Sequence, residues 1–398
     1  MSSSPTAIPE DVVVAIFLKL PVKSLVQLRC VSKSWLAIID SPMFIRVHSN
    51  QSLKTSFTSS SDIFILSYSS PPCIVDVDDS DFDSHYVTSK ELNMNGECVM
   101  DLVGYCRGMI CLREFSKRDK TINFIICNPL SRESWKVKIL WGWDFGYDDH
   151  WVFVYDHVND DLKLVTMADD TIKTIEVYSC FRSHDDDSCK MMIKKKIDNV
   201  FPSPDNHNRN SCVFLDGTNS IHWIAKKCGE DDHINHKYDQ DKIVAAFNFE
   251  TESFYLVPLP EAGGDALRIT ALGSLKGCLI FCELSSDQTI GVWMMKDYGI
   301  KESRIRFASL NQVWYMNLIP TAYSKCCRKL LVMRDKKLYW YHLDKKNWRK
   351  IQFSGFPNSY IWNTSVCSTS LVRLKAQNNY DESNLTALGL SSIFLVLK

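Results

Sequence analysis

From about residue 96 onward the chain is cut into short runs rich in β-branched and aromatic residues, separated by Gly, Asn and Asp. This rhythm limits the fold more than any other feature. Runs at 108–112, 121–127, 150–155, 162–167, 174–178, 213–215, 221–225, 242–249, 277–282, 289–294, 329–333 and 337–343 each have the length of a single strand. Helical periodicity nearly disappears over the same stretch. An open sheet of so many strands would expose long unpaired edges, so the pattern predicts a closed all-β array in which pairing around a ring leaves few of them. Half-hidden repetition supports blades. Ile221-His222-Trp223-Ile224, Gly291-Val292-Trp293-Met294 and Leu338-Tyr339-Trp340-Tyr341 each set a Trp inside a strand. Phe247-Asn248-Phe249-Glu250-Thr251-Glu252 and Tyr341-His342-Leu343-Asp344-Lys345-Lys346-Asn347 both have the form of a strand-turn unit of a propeller blade. The expected fold of this part is β-propeller-like, with a β-sandwich as the alternative. The repeats are too degenerate to count blades.

The N-terminal part is different in kind. Ile8-Pro9-Glu10-Asp11 has the form of a helix start, because proline suits the first turn and acids complement the helix dipole. Val13, Ile16, Phe17 and Leu20 then recur at i, i+3, i+4 and i+7, which predicts one apolar helical face. Pro21 stops that helix. A second helix is predicted over about 24–30, and a third over about 32–39 presents Trp35, Ile38 and Ile39 on one side before Ser41-Pro42 closes it. Three helices in about forty residues lie near the limit below which a lone core rarely suffices, so the unit must dock on something. Residues 51–70 turn to Ser and Thr around one strand-like Ile63-Phe64-Ile65-Leu66, as a linker feeding a first strand would. The expected class is therefore α+β in two parts. A three-helix unit over 5–48 is followed by linker and first strands over 49–95, a large all-β domain over 96–375 and a tail over 376–398.

Composition narrows the function classes. A length of 398 residues makes two domains likelier than one, and 45% hydrophobic residues supply a sizeable core. The formal net charge of −1 gives no overall pull toward nucleic acid or an anionic membrane, so neither is an expected partner. Fifteen cysteines is an odd count without framework spacing, and no charged-then-apolar signal opens the chain. Reduced thiols and a cytoplasmic or nuclear location are expected from that combination. The sequons at Asn363 and Asn384 are then chance matches. No apolar run approaches bilayer length.

In order and spacing, Ile8-Pro9-Glu10-Asp11, an apolar helix ending Leu20-Pro21-Val22-Lys23-Ser24-Leu25, Arg29-Cys30-Val31-Ser32-Lys33-Ser34-Trp35 and Ser41-Pro42-Met43-Phe44 resemble an F-box. Ile8 stands where Leu is more usual in that family, a change of shape at similar volume. The resemblance implies docking on a Skp-type adaptor and, through it, on a cullin scaffold. It assigns Ile8, Pro9, Ile16, Leu20, Pro21, Leu25, Val31 and Trp35 to forming or supporting the adaptor-facing surface. Farther along, Val103-Gly104-Tyr105-Cys106-Arg107-Gly108, Asn128-Pro129-Leu130-Ser131-Arg132-Glu133, Phe214-Leu215-Asp216-Gly217, His222-Trp223-Ile224-Ala225 and Val292-Trp293-Met294-Met295-Lys296-Asp297 resemble, in order, the plant F-box-associated domain. Together these resemblances span nearly the whole chain. They imply the substrate-recognition subunit of an SCF-type ubiquitin ligase, which does no bond chemistry itself. Val87-Thr88-Ser89-Lys90, the stretch from Met294 to Ser303 and Gly355-Phe356-Pro357-Asn358-Ser359 lean toward the S-locus F-box branch, whose members recognise pistil ribonucleases in self-incompatibility.

No convergent catalytic set stands out, and no cofactor or metal is expected. Cys228, His233 and His236 are irregularly spaced and lack a fourth zinc ligand. Phosphate-cradling glycine loops and a nucleophile elbow are absent. Trp141, Trp143 and Trp151 could anchor a recognition surface, but core packing is the commoner fate of strand aromatics. The basic stretch 325–350 alternates with apolar residues as ordinary strands do. The target is expected at loops on one end of the β array, where Asp144, Asp148 and Asp149 and the run Asp185, Asp186 and Asp187 would suit a basic, secreted-type ribonuclease. A scaffold that binds the adaptor without degradation and a glycan-binding β domain stay open as other classes.

Overall fold

Each of the first helices begins where local chemistry dictates. Glu10 and Asp11 fill the first turn of α1 (Glu10–Phe17), and Pro21 precedes α2 (Val22–Leu28). Helix α3 (Lys33–Ile39) is capped by Ser32, whose Oγ accepts the Trp35 amide at 3.1 Å. Ser41 does the same for a fourth helix, α4 (Pro42–Thr55), accepting the Phe44 amide at 3.3 Å. Ser41-Pro42 therefore opens a helix where the sequence reading closed one, because a proline in the first turn gives up an amide that has no partner there in any case. The unit has four helices, and the last runs into the stretch expected to be linker.

The computed structural model describes residues 8–55, 62–67, 73–76, 86–91, 100–116, 121–129, 133–140, 150–156, 161–168, 174–182, 189–198, 204, 212–226, 242–259, 268–285, 289–311, 318–324, 327–354, 361–366 and 370–372. Beyond the helices it is all-β. Strands β1 (Asp62–Ser67), β2 (Cys73–Asp76) and β3 (Tyr86–Glu91) come first. A four-stranded sheet follows from β4 (Met100–Cys106), β5 (Met109–Ser116), β6 (Thr121–Asn128) and β7 (Glu133–Leu140). The next contains β8 (His150–Asp156), β9 (Asp161–Ala168), β10 (Thr174–Arg182) and β11 (Cys189–Asp198). The third is β12 (Cys212–Leu215), β13 (Ser220–Lys226), β14 (Lys242–Asn248) and β15 (Ser253–Val257). The fourth is β16 (Ile269–Leu275), β17 (Cys278–Leu284), β18 (Ile290–Met295) and β19 (Arg304–Leu310). The fifth is β20 (Leu318–Tyr323), β21 (Lys329–Arg334), β22 (Lys337–His342) and β23 (Asn347–Lys350).

All five are antiparallel meanders of consecutive strands. A further sheet, ordered β24 (Gln352–Ser354), β3, β2, β1 and β25 (Ile361–Val366), joins the early strands to the last ones. The innermost strands β4, β8, β12, β16, β20 and β25 neighbour one another in turn, and β25 returns to β4. The array is thus a closed β-propeller rather than a sandwich, and the strands between residues 62 and 91 belong to it.

Closure is visible in the details. In β4, β16 and β20 the pairing to the next strand slips at the same kind of place, between Leu102 and Gly104, Ile269 and Ala271, and Pro320 and Ala322. Such bulges bend and twist a strand, as an inner strand of a ring requires. The two repeated segments found in sequence both fall on the hairpin from third to fourth strand. Asn248 pairs with Ser253, and His342 with Asn347. Asn248 Oδ1 accepts the Glu250 and Thr251 amides at 2.8 Å, and His342 Nδ1 accepts the Lys345 amide at 3.3 Å. Glu252 and Lys346 each take left-handed backbone at φ +52°. The core lies between neighbouring blades, where Phe124 meets Trp151 at 4.6 Å and Trp223 is fully buried.

Candidate functional site: the helical docking face and its mounting

The helices hold a small core of Phe17, Val22, Leu25, Ile39 and Phe44, to which Leu371 is added from the far end of the chain. Trp35 packs edge-on to Phe17 at 5.1 Å, and Phe44 does so at 6.4 Å. His48 stacks on Phe44 and bonds through Nε2 to the Leu20 carbonyl at 2.9 Å. Arg29 and Asp40 form an ion pair between α2 and α3.

With that core filled, apolar side chains are still left outside. On α1, Val12 and Ile16, spaced by four, make a stripe that is 43% and 49% exposed, and Ile8, just before the helix, is 63% exposed. Val31, Leu36 and Met43 are also exposed on the following elements. The single face predicted for α1 is therefore two faces. Val13, Phe17 and Leu20 turn to the core, while Ile16 turns out.

Of the residues assigned to the adaptor surface, Ile8, Pro9, Ile16, Pro21 and Val31 are exposed. Leu20 and Trp35 are half-buried, and both pack on the helical core. Leu25 is wholly buried, so it can support such a surface but cannot touch a partner. Val12, Leu36 and Met43 were not singled out in sequence, although the i, i+4 spacing of Val12 and Ile16 carried the signal for Val12.

A buried arginine fixes the helices to the β domain. Arg107, at φ +51° in the turn between β4 and β5, has a side chain only 1% exposed. Its guanidinium lies 4.2 Å over the Tyr155 ring. Its Nη1 donates to Asn50 Oδ1 at 2.6 Å and to Ser49 Oγ at 3.2 Å, both on α4. Its Nε pairs with Asp216 Oδ2 at 3.1 Å. One side chain thus ties α4 to three blades. Sequence reasoning missed it, since Arg107 was one letter in a strand-turn motif.

The end of the ring bearing Arg107 is therefore the helical end. Tyr155 lies beside Asp156, which pairs with Asp161 at that end of the second blade, as Arg182 pairs with Cys189. At the opposite end Leu140 pairs with Thr121, and His150 with Met167. Asp144, Asp148 and Asp149, and Asp185, Asp186 and Asp187, lie outside the described residues. The described strand ends on either side of the two groups, Leu140 and His150 for the first and Arg182 and Cys189 for the second, lie at opposite ends of the ring. Cys228, His233 and His236 also lie outside the described residues, and among those described no group of three or more His, Cys, Asp or Glu could hold a metal. Cys127 and Cys282 are buried, which pushes their thiols up to about 12, so they are inert packing groups. No helix among the described residues is long and apolar enough to cross a membrane.

A four-helix unit with an unfilled apolar stripe, mounted on a closed propeller, defines a two-part docking protein. The F-box domain family matches residues 6–46, and the F-box associated β-propeller domain family matches residues 52–380. The chain belongs to this F-box associated β-propeller family. It is 27% identical over 388 residues to F-box protein CPR1 of Arabidopsis thaliana, covering 92% of this chain and 89% of the relative. It is also 22% identical to the F-box/kelch-repeat protein At3g23880 of the same plant, covering 74% and 77%. With putative F-box protein At1g47790 of Arabidopsis thaliana, identity reaches 42% over 73 residues, covering 17% and 19%. An F-box domain joined to its associated propeller supports a substrate-recognition role, with a Skp-type adaptor bound within an SCF complex.

Proposed function

We propose that this chain is a non-catalytic target receptor of an SCF-type ubiquitin ligase, with Ile8, Pro9, Ile16, Pro21 and Val31 touching the adaptor. Leu20 and Trp35 border that surface, and Leu25 holds its shape from within. The observation that carries the reading is the stripe of Val12 and Ile16 on α1, with Ile8 just before it, which remains exposed on a unit whose own core is already filled. Seating that stripe on an adaptor removes apolar area from water, and the β domain then holds a target near the conjugating enzyme. The gain is one of effective concentration of target lysines.

Replacing Ile16 by Asp tests this directly, because a half-exposed position accepts the charge in the free chain but not against an apolar partner. Co-purification with a Skp-type adaptor should fall by at least about tenfold, with the thermal unfolding of the chain unchanged. Equal recovery of adaptor by the variant would sink the assignment.

The target is proposed to dock at the end of the propeller opposite Arg107, since the helical unit sits at the near end. The flanking strand ends at Leu140 and His150 favour the segment holding Asp144, Asp148 and Asp149 as part of that surface. The narrower identity of the target, a basic secreted-type ribonuclease, rests on the sequence resemblance alone. Affinity purification from pollen and from leaf tests it. Recovery of no ribonuclease from pollen would set that identity aside and leave the receptor reading in place.

A further inference from the structure

The helical unit begins the chain, but its core is finished by residue 371. Leu371 is only 4% exposed and packs in the same cluster as Phe17, Leu25 and Ile39. Its two neighbours are held by the propeller. Asn128, at the end of β6, donates from Nδ2 to the Ser370 carbonyl and to the Val372 carbonyl, each at 3.1 Å, so it grips the backbone on both sides of Leu371. Val372 packs against the cluster between the first two four-stranded blades, as Val103 and Trp135 also do. Consecutive residues therefore enter two different cores, one helical and one β.

The turn beneath them is shaped for this contact. Gly108 takes φ +83°, and a Cβ placed there would come within 2.0 Å of the Ser370 Cβ and 2.9 Å of its backbone nitrogen. A side chain at 108 would have to displace the segment itself. Arg107, next in the turn, reaches the other way to Ser49 and Asn50 on α4. The same turn thus receives both the C-terminal segment and the last helix.

We infer that segment 370–372 is an integral part of the helical unit, so that the unit acquires a stable core, and with it a competent docking face, only after the propeller has closed. The reason is size. Four short helices bury few large side chains, and a small unit of this kind lives near the limit of independent stability. One buried leucine is then a large share of its core. Ring closure by β25 comes just before this segment in the chain. A chain with an open or truncated propeller would carry every residue of the F-box and still present it loosely. Adaptor recruitment is in this way conditional on a completed receptor.

The inference rests on the adaptor reading only for one of its two readouts. Full-length wild type, Leu371→Asp and Leu371→Met are compared by hydrogen exchange over residues 10–55 and by co-purification with a Skp-type adaptor. Near-UV circular dichroism of the strand tryptophans reports the propeller. In Leu371→Asp, exchange through α1 to α4 should quicken about a hundredfold and adaptor recovery should fall in parallel, with the tryptophan signal retained. Leu371→Met, similar in volume, should stay within a few-fold of wild type on both readouts. Unchanged helical protection in Leu371→Asp overturns the inference. If that variant unfolds the propeller as well, Asn128→Ala loosens the segment without putting a charge in the core, and unchanged protection there overturns it equally. If wild type captures no adaptor while exchange still responds to Leu371, the adaptor reading fails and the structural dependence stands.

Discussion

His222 shows what burial does to a single residue in this molecule. It sits wholly buried on β13, with Nε2 facing the Tyr298 hydroxyl, which in turn bonds to the Tyr255 hydroxyl at 2.6 Å. Burial drives its pKa down to about 4, with backbone hydrogen bonds pulling weakly the other way. Between pH 4 and the ordinary histidine value the unfolded chain binds a proton that the folded chain does not, so stability rises with pH there and is lost on acidification. The loss on going from neutral pH to pH 4 is at most about 3 kcal/mol. Thermal unfolding measured from pH 7 to pH 4 should fall more steeply for wild type than for His222→Gln, which has no proton to take up. Parallel curves would show that another group carries the acid sensitivity. Neither His222 nor Arg107 stood out in sequence, where a histidine before a strand tryptophan and an arginine before a glycine are both ordinary. Their roles come from partners that are distant in the chain.

Among elements, legibility followed position in the blade. Every run predicted as a strand is one, and in all five four-stranded sheets the two middle strands were among them. These strands are covered on both faces and paired on both edges, so their apolar content is high. The strands passed over lie mostly at the rims. Gly273 interrupts β16, Pro320 interrupts β20, and β15 exposes Ser253 and Leu256, three residues apart. An inner strand must bend, and an outer one meets water, so neither keeps a clean period of two. The fourth helix was missed because Ser41-Pro42 is equally a stop and a start, and only the capped Phe44 amide distinguishes them. Capping also supplies a test at this scale. Ser32→Ala removes the acceptor for the Trp35 amide and should cost about 1 kcal/mol, which Ser32→Thr restores in large part. Hydrogen exchange at the first turn of α3 measures it, and equal protection in the alanine variant would mean that water replaces the cap.

For the whole molecule, the decisive feature is that the helical unit occupies one end of the ring and leaves the other end to the target docking proposed above. The helical unit is held at one end of the ring by Arg107, through contacts to α4, Tyr155 and Asp216. In the receptor proposed above, a rigid mount of this kind would keep adaptor and target at a fixed separation, which is what proximity catalysis asks of a receptor. The two acidic groups nominated in sequence then have different prospects. Charge reversal at Asp144, Asp148 and Asp149 should weaken capture of a target recovered from tissue and lower its salt dependence. The same reversal at Asp185, Asp186 and Asp187 should leave both unchanged. The opposite ranking, measured by pull-down across a salt series, would move the target to the helical end.

By itself the sequence determined the two parts, the all-β class of the second and the family to which the chain belongs. Those properties are local: helix caps, prolines, strand periods and an ordered set of short motifs survive in one dimension. The tertiary structure alone decided that α1 has two apolar faces, that the early strands close the ring with β25, and that Leu371 belongs to a core built from residues 17 to 44. Those properties depend on which distant segments meet, and a short run of Ser370, Leu371 and Val372 carries no sign of the partners that bury it.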